Sequence, residues 1–193
     1  MGRRIAIVQG HPDPAGGHFG HALADAYAAG AAAAGHEVRR VEVARLDFGC
    51  LRRPAEWNQG PLPPGLQEAQ AAIGWADHLV LVFPLWLGTM PALLKAFLEQ
   101  VLRPGFAFHL EAGGRWRQAL GGRSARLVVT MGMPALLYRW FFLAHGVRGL
   151  ERNILHFCGI RPVRASFIGL VESRAAARAA WLGRLRELGA KAV

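Results

Sequence analysis

Cysteine is scarce in this sequence, and long apolar runs are absent. Cys50 and Cys158 are the only cysteines in 193 residues, too few for a disulfide scaffold or a cysteine-rich metal site, and their separation gives no CxxC motif. We therefore expect structural thiols. No apolar run reaches the roughly 18 residues that span a bilayer. The N-terminus leads into a strand instead of a signal-peptide core, so we expect a cytoplasmic protein without membrane insertion.

Acidic residues and lysine are also few. The chain has 13 Asp+Glu against 23 Lys+Arg, a formal net charge of +10, and its only lysines are Lys95 and Lys191. An arginine excess can indicate nucleic acid, an anionic membrane or phosphate-bearing small molecules. The arginines are scattered, however, and no zinc-finger or RNP signature accompanies them. A solvated basic surface that binds no nucleic acid is the expected explanation.

The two best-known phosphate motifs are missing, but another phosphate loop is present. The GxGxxG fingerprint and a Walker lysine are absent, which disfavours a dinucleotide-binding Rossmann domain and an ATPase. A glycine-rich loop, 10–19, does connect a first strand at Arg4–Val8 to an alanine-rich helix at His18–Ala34. Free amide groups and the helix dipole at such an N-terminus form an anion site, for which phosphate is the natural ligand.

Three histidines in this region, His11, His18 and His21, raise the question of a metal. Zinc sites of this kind need three or four convergent ligands at a regular spacing, and nothing else in the sequence supplies them. We expect no metal.

The centre of the chain is a strand, a loop and a helix. Leu79–Phe83 is uniformly apolar, which is typical of a strand buried on both faces of a parallel sheet. Pro84 and Gly88 predict a loop, and we expect Thr89 to cap the helix that follows. A loop that leaves the carboxyl end of a central strand and carries Trp86 suits a flat heteroaromatic ring. The alternative, that Trp86 packs under a helix, stays open at about even odds.

The rest of the pattern predicts further strands and helices. Additional strands are expected at Glu37–Val43, Ala125–Thr130 and Val163–Val171. We expect helices at Leu66–Trp75, in the segment that Gly159 closes, and at Arg174–Leu188 with Ser173 as its cap. Segments 45–65 and 111–122 are expected to be loops. Five strands separated by helices predict one α/β domain over residues 1–193, with a doubly wound parallel sheet and helices on both faces.

Several segments resemble the NAD(P)H:quinone oxidoreductase family, which has a flavodoxin-like fold. The flavin loop of that family resembles Phe83–Gly88, together with Pro91–Lys95 and Phe106–Phe108. The run Leu155–Gly159 is similar to the same position of DT-diaphorase. His11, Pro12 and Phe19 match the family's first loop, although His18 and Gly20 replace a usual hydroxyl and amide. The resemblance covers nearly the whole chain and implies a flavodoxin-like five-stranded sheet.

The resemblance also implies a site. Nine residues would bind the flavin, FAD or FMN: His11, His18, Phe19, Pro84, Leu85, Trp86, Leu87, Thr130 and Gly132. Tyr138 and His145 match, at similar offsets, the family's tyrosine and histidine that contact nicotinamide or quinone and relay charge. For both residues a structural role remains the alternative. NAD(P)H would be the co-substrate, and a second subunit would complete the site in a homodimer.

Two functions follow from these observations. The first is a flavoenzyme that takes hydride from NAD(P)H and passes two electrons to a quinone-like acceptor in a ping-pong reaction. The second is an ancillary subunit that keeps the fold and regulates a membrane transporter, as some relatives of the family do.

Overall fold

A five-stranded parallel sheet forms the centre of a computed structural model that describes residues 2–111, 113–172 and 175–193. In chain order the strands are β1 (Arg4–Gln9), β2 (Glu37–Glu42), β3 (His78–Pro84), β4 (Phe108–Leu110), β5 (Trp116–Gln118), β6 (Ser124–Thr130) and β7 (Val163–Ile168). The main sheet has the order β2-β1-β3-β6-β7, and β4 and β5 form a separate antiparallel pair. The predicted doubly wound, flavodoxin-like sheet is confirmed.

The helices cover both faces of this sheet. They are α1 (Phe19–Ala33), α2 (Pro54–Asn58), α3 (Gln67–Trp75), α4 (Ala92–Val101), α5 (Ala135–Trp140), α6 (His145–Gly149), α7 (His156–Cys158) and α8 (Ala175–Ala190), with a π-helical stretch at Leu150–Leu155 joining α6 to α7. Ser173 and Arg174, the predicted cap and start of the last helix, lie outside the described residues. Among the described helices, none is both long enough and apolar enough to cross a membrane.

The alternation of side chains along the strands divides the core in two. Ile5, Ile7 and Val80 pack beneath α1 and α8, whereas Ala6 and Leu81 pack with residues of α3 to α7 on the opposite face. Every residue of β3 from His78 to Phe83 is buried, because β3 lies in the middle of the sheet with helices on both sides. This explains its uniformly apolar sequence.

The order of the strands creates a crevice at one edge of the sheet. β1 pairs with β2 on one side and with β3 on the other, so the connections after β1 and β3 leave in opposite directions. Open α/β sheets bind ligands at such a switch point, outside the carboxyl ends of the strands.

The structure corrects three local predictions. Thr89 does not cap α4, since the N-cap is Pro91 and no side-chain bond is made there. Segment 45–65 is not loop throughout, because it contains α2 and its two ends overlap 3₁₀ turns at Val43–Arg45 and Pro64–Leu66. Segment 111–122 contains β5, which pairs with β4. These elements are three to five residues long, too short for a clear periodicity.

The two cysteines differ in their surroundings. Cys158 is buried at the end of α7, and burial raises the pKa of its thiol to about 12. It is a packing residue, as expected. Cys50 is exposed, so the expectation of a buried structural thiol applies to Cys158 alone.

Candidate functional site

Three loops meet at the carboxyl edge of the sheet and enclose a cavity of about 540 Å³. We call it the flavin cavity, after the residues predicted to bind flavin that line it. The loops follow β1, β3 and β6, and the start of α8 closes the remaining side. The cavity contains eight of the nine residues predicted to bind flavin: His11, His18, Phe19, Pro84, Leu85, Trp86, Thr130 and Gly132. Leu87 is the exception. It lines a neighbouring cavity of about 820 Å³, whose wall Trp86 shares.

The loop after β1 brings imidazole and backbone amide groups to the N-terminus of α1. His18 is the N-cap residue, and no side chain caps this end of the helix. The first amide groups of α1 therefore remain available to an anion, supported by the dipole of a 15-residue helix. This is the geometry expected of a phosphate site.

Stacked imidazoles give this loop an unusual composition. The rings of His11 and His18 stack with centroids 3.8 Å apart, and His18 Nε2 lies 2.6 Å from a carboxylate oxygen of Asp13. Burial, followed by the nearby His18 and His21, lowers the pKa of His11. The His18 hydrogen bond is the main cause of a lowered pKa at Asp13. No three metal-binding side chains converge in the described part of the chain, and face-to-face stacking does not direct the nitrogens of both rings at one point.

The loop after β3 is a closed turn. The amide of Trp86 donates to the carbonyl of Thr89 at 2.9 Å, and the amide of Thr89 donates back at 3.1 Å. Leu87 and Gly88, the two central residues, have φ values of +48° and +80°, as a type I′ turn requires. Trp86 is half exposed at the cavity, so the alternative in which it packs under a helix is excluded.

This turn limits which atoms can contact a ligand. The amide of Leu85 donates to the carbonyl of Thr130 at 2.7 Å, and that of Trp86 is used within the turn. Leu85 and Trp86 can therefore contribute side chains and carbonyls to a ligand, but no backbone N–H group. Leu87 projects into solvent and is fully exposed.

The loop after β6 completes the floor of the flavin cavity. Thr130 is the last residue of its strand and is almost fully buried, and the amide of Met131 donates to Ile168. Within the described residues the amide of Gly132 has no acceptor. Gly132 can thus donate to a carbonyl oxygen of a ligand, as the resemblance implies.

Two charged residues of the cavity were missed in the sequence. Arg178 of α8 lines the flavin cavity with its guanidinium 5.1 Å from the ring centre of Phe19, and Glu172 also lies in the wall. Arg178 is one of many arginines in a terminal segment, and nothing in the local pattern distinguishes it. The sequence indicated only that the last helix of a doubly wound fold packs on the same face of the sheet as α1, and not which of its arginines reaches the cavity.

The predicted catalytic pair lies outside the flavin cavity in this chain. Tyr138 is only 1% exposed. Its hydroxyl donates to the carbonyl of Gly88 at 2.9 Å and accepts a bond from the amide of Val147 at 3.3 Å. Burial raises the pKa of this phenol. In this structure the hydroxyl of Tyr138 is bonded to the Trp86–Thr89 turn, so contact with a substrate stays a prediction.

His145 is close to the turn but points to solvent. It is the exposed first residue of α6. The next residue, Gly146, packs so tightly that an added Cβ would lie 2.2 Å from the carbonyl oxygen of Gly88. The segment from Tyr138 to Val147 thus supports the turn from one side, with His145 at its edge.

Comparison with known proteins agrees with this architecture. The Flavodoxin_2 family model, described as a flavodoxin-like fold, matches residues 3–188. The chain belongs to the Flavodoxin_2 family. Among solved structures, the NAD(P)H:quinone oxidoreductase of Methanothermobacter marburgensis superposes with a TM-score of 0.80 at 24% identity over 98% of both chains. An FMN-dependent NADH-azoreductase of Bacillus anthracis in complex with FMN gives 0.70 at 14% identity, over 97% of this chain and 98% of that one.

Curated members of the family match over a shorter stretch. Human ribosyldihydronicotinamide dehydrogenase [quinone] is 32% identical over 145 residues, which is 68% of this chain and 61% of that enzyme. The chain spans about half the length of other curated relatives that it matches. At the identities given, the two solved structures bear on the fold alone.

Proposed function

We propose that this Flavodoxin_2 protein is a flavin-dependent oxidoreductase that takes hydride from NAD(P)H and passes two electrons to a quinone-like acceptor. The observation that carries the proposal is the meeting, in one cavity, of an anion site, an exposed tryptophan and an open amide at a β1/β3 switch point. The oxidoreductase names of the similar proteins support it, and they favour an enzyme over a transporter subunit.

The residues of the cavity fit a flavin nucleotide. The free amides of α1, with His18 and Arg178 nearby, suit a phosphate. Trp86 offers an aromatic surface to a flat ring. The amide of Gly132 suits the ring's pyrimidine carbonyl. We propose FMN as the flavin, supported by the FMN-dependent NADH:quinone oxidoreductase of Ruegeria pomeroyi, which is 28% identical over 81 residues.

When bound, the flavin would supply the two-electron chemistry itself. The protein would hold the flavin ring and keep other molecules away from it. Gly132 would stabilise negative charge at the pyrimidine edge by donating its N–H. We propose that His145, which lies beside the Trp86–Thr89 turn, donates a proton or hydrogen bond from its imidazole to the substrate. Tyr138 would act through Gly88 as a positioning residue.

A second subunit is proposed to complete the site. Six exposed apolar side chains crowd the segment after β6: Leu136, Leu137, Trp140, Phe141, Phe142 and Leu143. Trp140 and Phe141 are 72% and 74% exposed, and a contiguous apolar surface of this kind marks an interaction site. A homodimer would cover it. Sedimentation of wild type should give a dimer. Phe141→Ser should dissociate into monomers at a higher protein concentration than wild type. An active wild-type monomer would refute this assembly.

The cofactor is tested by the absorbance spectrum of the purified protein, followed by mass determination of the released flavin. We expect a flavin spectrum and the mass of FMN. The mass of FAD would replace FMN and leave the proposed reaction standing. A protein that neither retains nor takes up either flavin would refute the proposal.

A further inference from the structure

A small cavity lies at the amino-terminal edge of the sheet, opposite to the flavin cavity, and no step of the proposed reaction uses it. Its volume is about 150 Å³. His78 and Ser124, the first residues of β3 and β6, line it together with Arg3 and Arg164. We call it the amino-edge cavity. Cavities that hold drug-sized ligands begin at roughly 300 Å³, so this one suits a small ion.

The wall of the amino-edge cavity is basic, and none of the described residues that line it is acidic. Arg3 donates from Nη1 to the carbonyl of Ala192 at 2.9 Å, a neutral acceptor that leaves the charge of the guanidinium uncompensated. Arg164 is exposed and has no side-chain hydrogen bond or ion pair within the described residues. Asp77, at the same edge, is bonded through both carboxylate oxygens to Arg4. The cavity therefore carries a positive potential.

A pair of arginines on adjacent strands increases this potential. Arg126 of β6 is in register with Arg164 of β7, and like charges at paired positions repel each other. Burial lowers the pKa of Arg126, and the charge of Arg164 also acts in that direction. Arg126 is 6% exposed and donates to Ser166 at 2.9 Å and to Val193. A bound anion beside Arg164 would offset the repulsion within this arginine pair.

His78 contributes a buried nitrogen without a partner. The side chain is 1% exposed, and its Nδ1 lies 2.7 Å from Oγ of Ser124, which fixes the orientation of the ring. Nε2 is buried and makes no hydrogen bond within the described residues. Burial, with the surrounding arginines, lowers the pKa of His78 to about 3, so the imidazole is neutral at pH 7. When Ser124 donates to Nδ1, the proton is on Nε2, which is then a buried donor that needs an acceptor.

The surplus of donors in this cavity favours an anion with several oxygens. Guanidinium groups can only donate, and the free imidazole nitrogen adds a further donor. Val193 also lines the cavity, but its oxygen already accepts from Arg126 and, at 3.5 Å, from the hydroxyl of Tyr27. It is therefore not available to Arg3 and Arg164. A tetrahedral dianion offers four oxygens to donors that come from three strands.

We propose that the amino-edge cavity binds one tetrahedral oxyanion with two negative charges, held by the guanidinium groups of Arg3 and Arg164 and by Nε2 of His78. Sulfate, inorganic phosphate and the phosphate group of a small monoester share this chemistry. The site is separate from the phosphate loop, which lies at the other edge of the sheet, and it does not depend on the proposed function. Because the ion would join the starts of β1, β3 and β7, it should stabilise the folded chain.

The test is calorimetric titration of flavin-loaded protein with sodium sulfate, at an ionic strength kept constant with chloride. We expect one sulfate to bind per chain. Arg164→Gln should lower the affinity for sulfate by about 10-fold or more, since hydrogen bonds between a charged donor and an anion are the strong ones. Arg161→Gln is the matched control, an exposed arginine outside the cavity wall, and should leave the affinity unchanged.

Arg178→Gln separates this site from the phosphate loop. In flavin-free protein sulfate can occupy both sites, and Arg178→Gln should weaken one of them while Arg164→Gln weakens the other. This comparison needs no flavin, so a chain that binds no flavin would refute the proposed function and leave the comparison valid. If Arg164→Gln fails to fold, NMR of wild type still decides: sulfate at pH 7 should shift the imidazole signals of His78 and not those of His109.

Titration with inorganic phosphate and with methyl phosphate identifies the source of the oxyanion. Equal affinities would assign the site to the phosphate group of a monoester, and exclusion of methyl phosphate would assign it to the free ion. Three results would overturn the inference: no sulfate binding to flavin-loaded wild type, equal sulfate affinities in Arg164→Gln and Arg161→Gln, or a single sulfate in flavin-free protein that depends on Arg178 alone.

Discussion

Leu87 shows how a single residue carries strain at the site. Its φ of +48° lies in the left-handed region, which a branched side chain adopts at a cost of order 1 kcal/mol. The side chain gains no burial in return, since it is fully exposed. The conformation is held by the paired bonds between Trp86 and Thr89 and by Tyr138 at Gly88. Strain of this kind persists where surrounding structure fixes it, and here it presents Trp86 to the cavity.

Arg178 gives the first prediction at this scale. Its guanidinium lies over Phe19 at the flavin cavity, where a cation favours a bound phosphate. Arg178→Gln should weaken flavin binding by about 10-fold, the effect of one charge-assisted hydrogen bond. Arg186→Gln, on the same helix but outside the cavity wall, is the control. Fluorescence titration of flavin-free protein measures both, and equal affinities would exclude Arg178 from the phosphate site.

His145 is the residue on which the proposed proton donation depends. His145→Ala should lower the rate of flavin reduction by about 10-fold or more, as losses of general acids do, with flavin content unchanged. Arg148→Ala, an exposed change on the same helix, should not. Stopped-flow reduction at matched flavin occupancy measures the rate. A normal rate with a lowered melting temperature would assign His145 a structural role.

At the scale of elements, the turn after β3 depends on the segment behind it. Gly146 in α6 approaches the Gly88 carbonyl so closely that no side chain fits, whereas a Cβ at Gly149 would meet open space. Gly146→Ala should displace the turn and weaken flavin binding by at least about 10-fold, since a methyl group forced into packed backbone costs on the order of 1–3 kcal/mol. Gly149→Ala should leave flavin affinity unchanged. The same titration decides, and equal affinities would show that the turn is not set by α6.

The long segment between β2 and α3 is organised by one buried arginine. The guanidinium of Arg103 donates to the carbonyls of Glu56, Gly60 and Pro61, and to the side chain of Gln100 in α4. The three carbonyls belong to the segment between β2 and α3, whereas Arg103 follows α4 and is distant from them in sequence. A glycine- and proline-rich stretch therefore predicts a loop correctly in general, while its shape depends on a distant residue that no local pattern identifies.

Sequence and structure agree best where burial dictates composition. The central strands β1, β3 and β6 follow from apolar runs, and the order of the strands follows from the flavodoxin-like resemblance. The loop before α1 and the exposed loop that carries Trp86 were also predictable, because glycine and proline content have local signatures. The position of Arg178 in the cavity wall and the hydrogen bonds of Tyr138 could not be predicted, since both depend on contacts between residues that are distant in sequence. Thr89 was misplaced because the turn uses its backbone.

At the scale of the whole molecule, a buried histidine under positive charge predicts acid sensitivity. His78 is 1% exposed, and burial, with Arg3, Arg126 and Arg164, lowers its pKa to about 3. Between pH 6.5 and about 3, His78 binds a proton in the unfolded chain but not in the folded chain. The stabilising effect of neutral His78 is thus complete above pH 6.5 and declines as the pH falls toward 3.

The size of this effect can be measured by denaturant unfolding at pH 7 and pH 4.5. A two-unit interval below the unfolded pKa corresponds to about 2.7 kcal/mol of lost stability. We expect wild type and His109→Gln to lose this amount beyond the loss seen in His78→Gln, which cannot titrate. Parallel losses in all three proteins would show that the buried imidazole does not control acid stability.

The central claim is that this chain carries electrons in two separate half-reactions. Anaerobic double-mixing stopped flow tests it: flavin-loaded protein is first mixed with one equivalent of NADPH or NADH, then with a quinone. We expect the flavin absorbance to bleach completely after the first mixing and to return after the second, when no reduced nicotinamide remains. A flavin that does not bleach, or that recovers only while reduced nicotinamide is still present, would contradict the account.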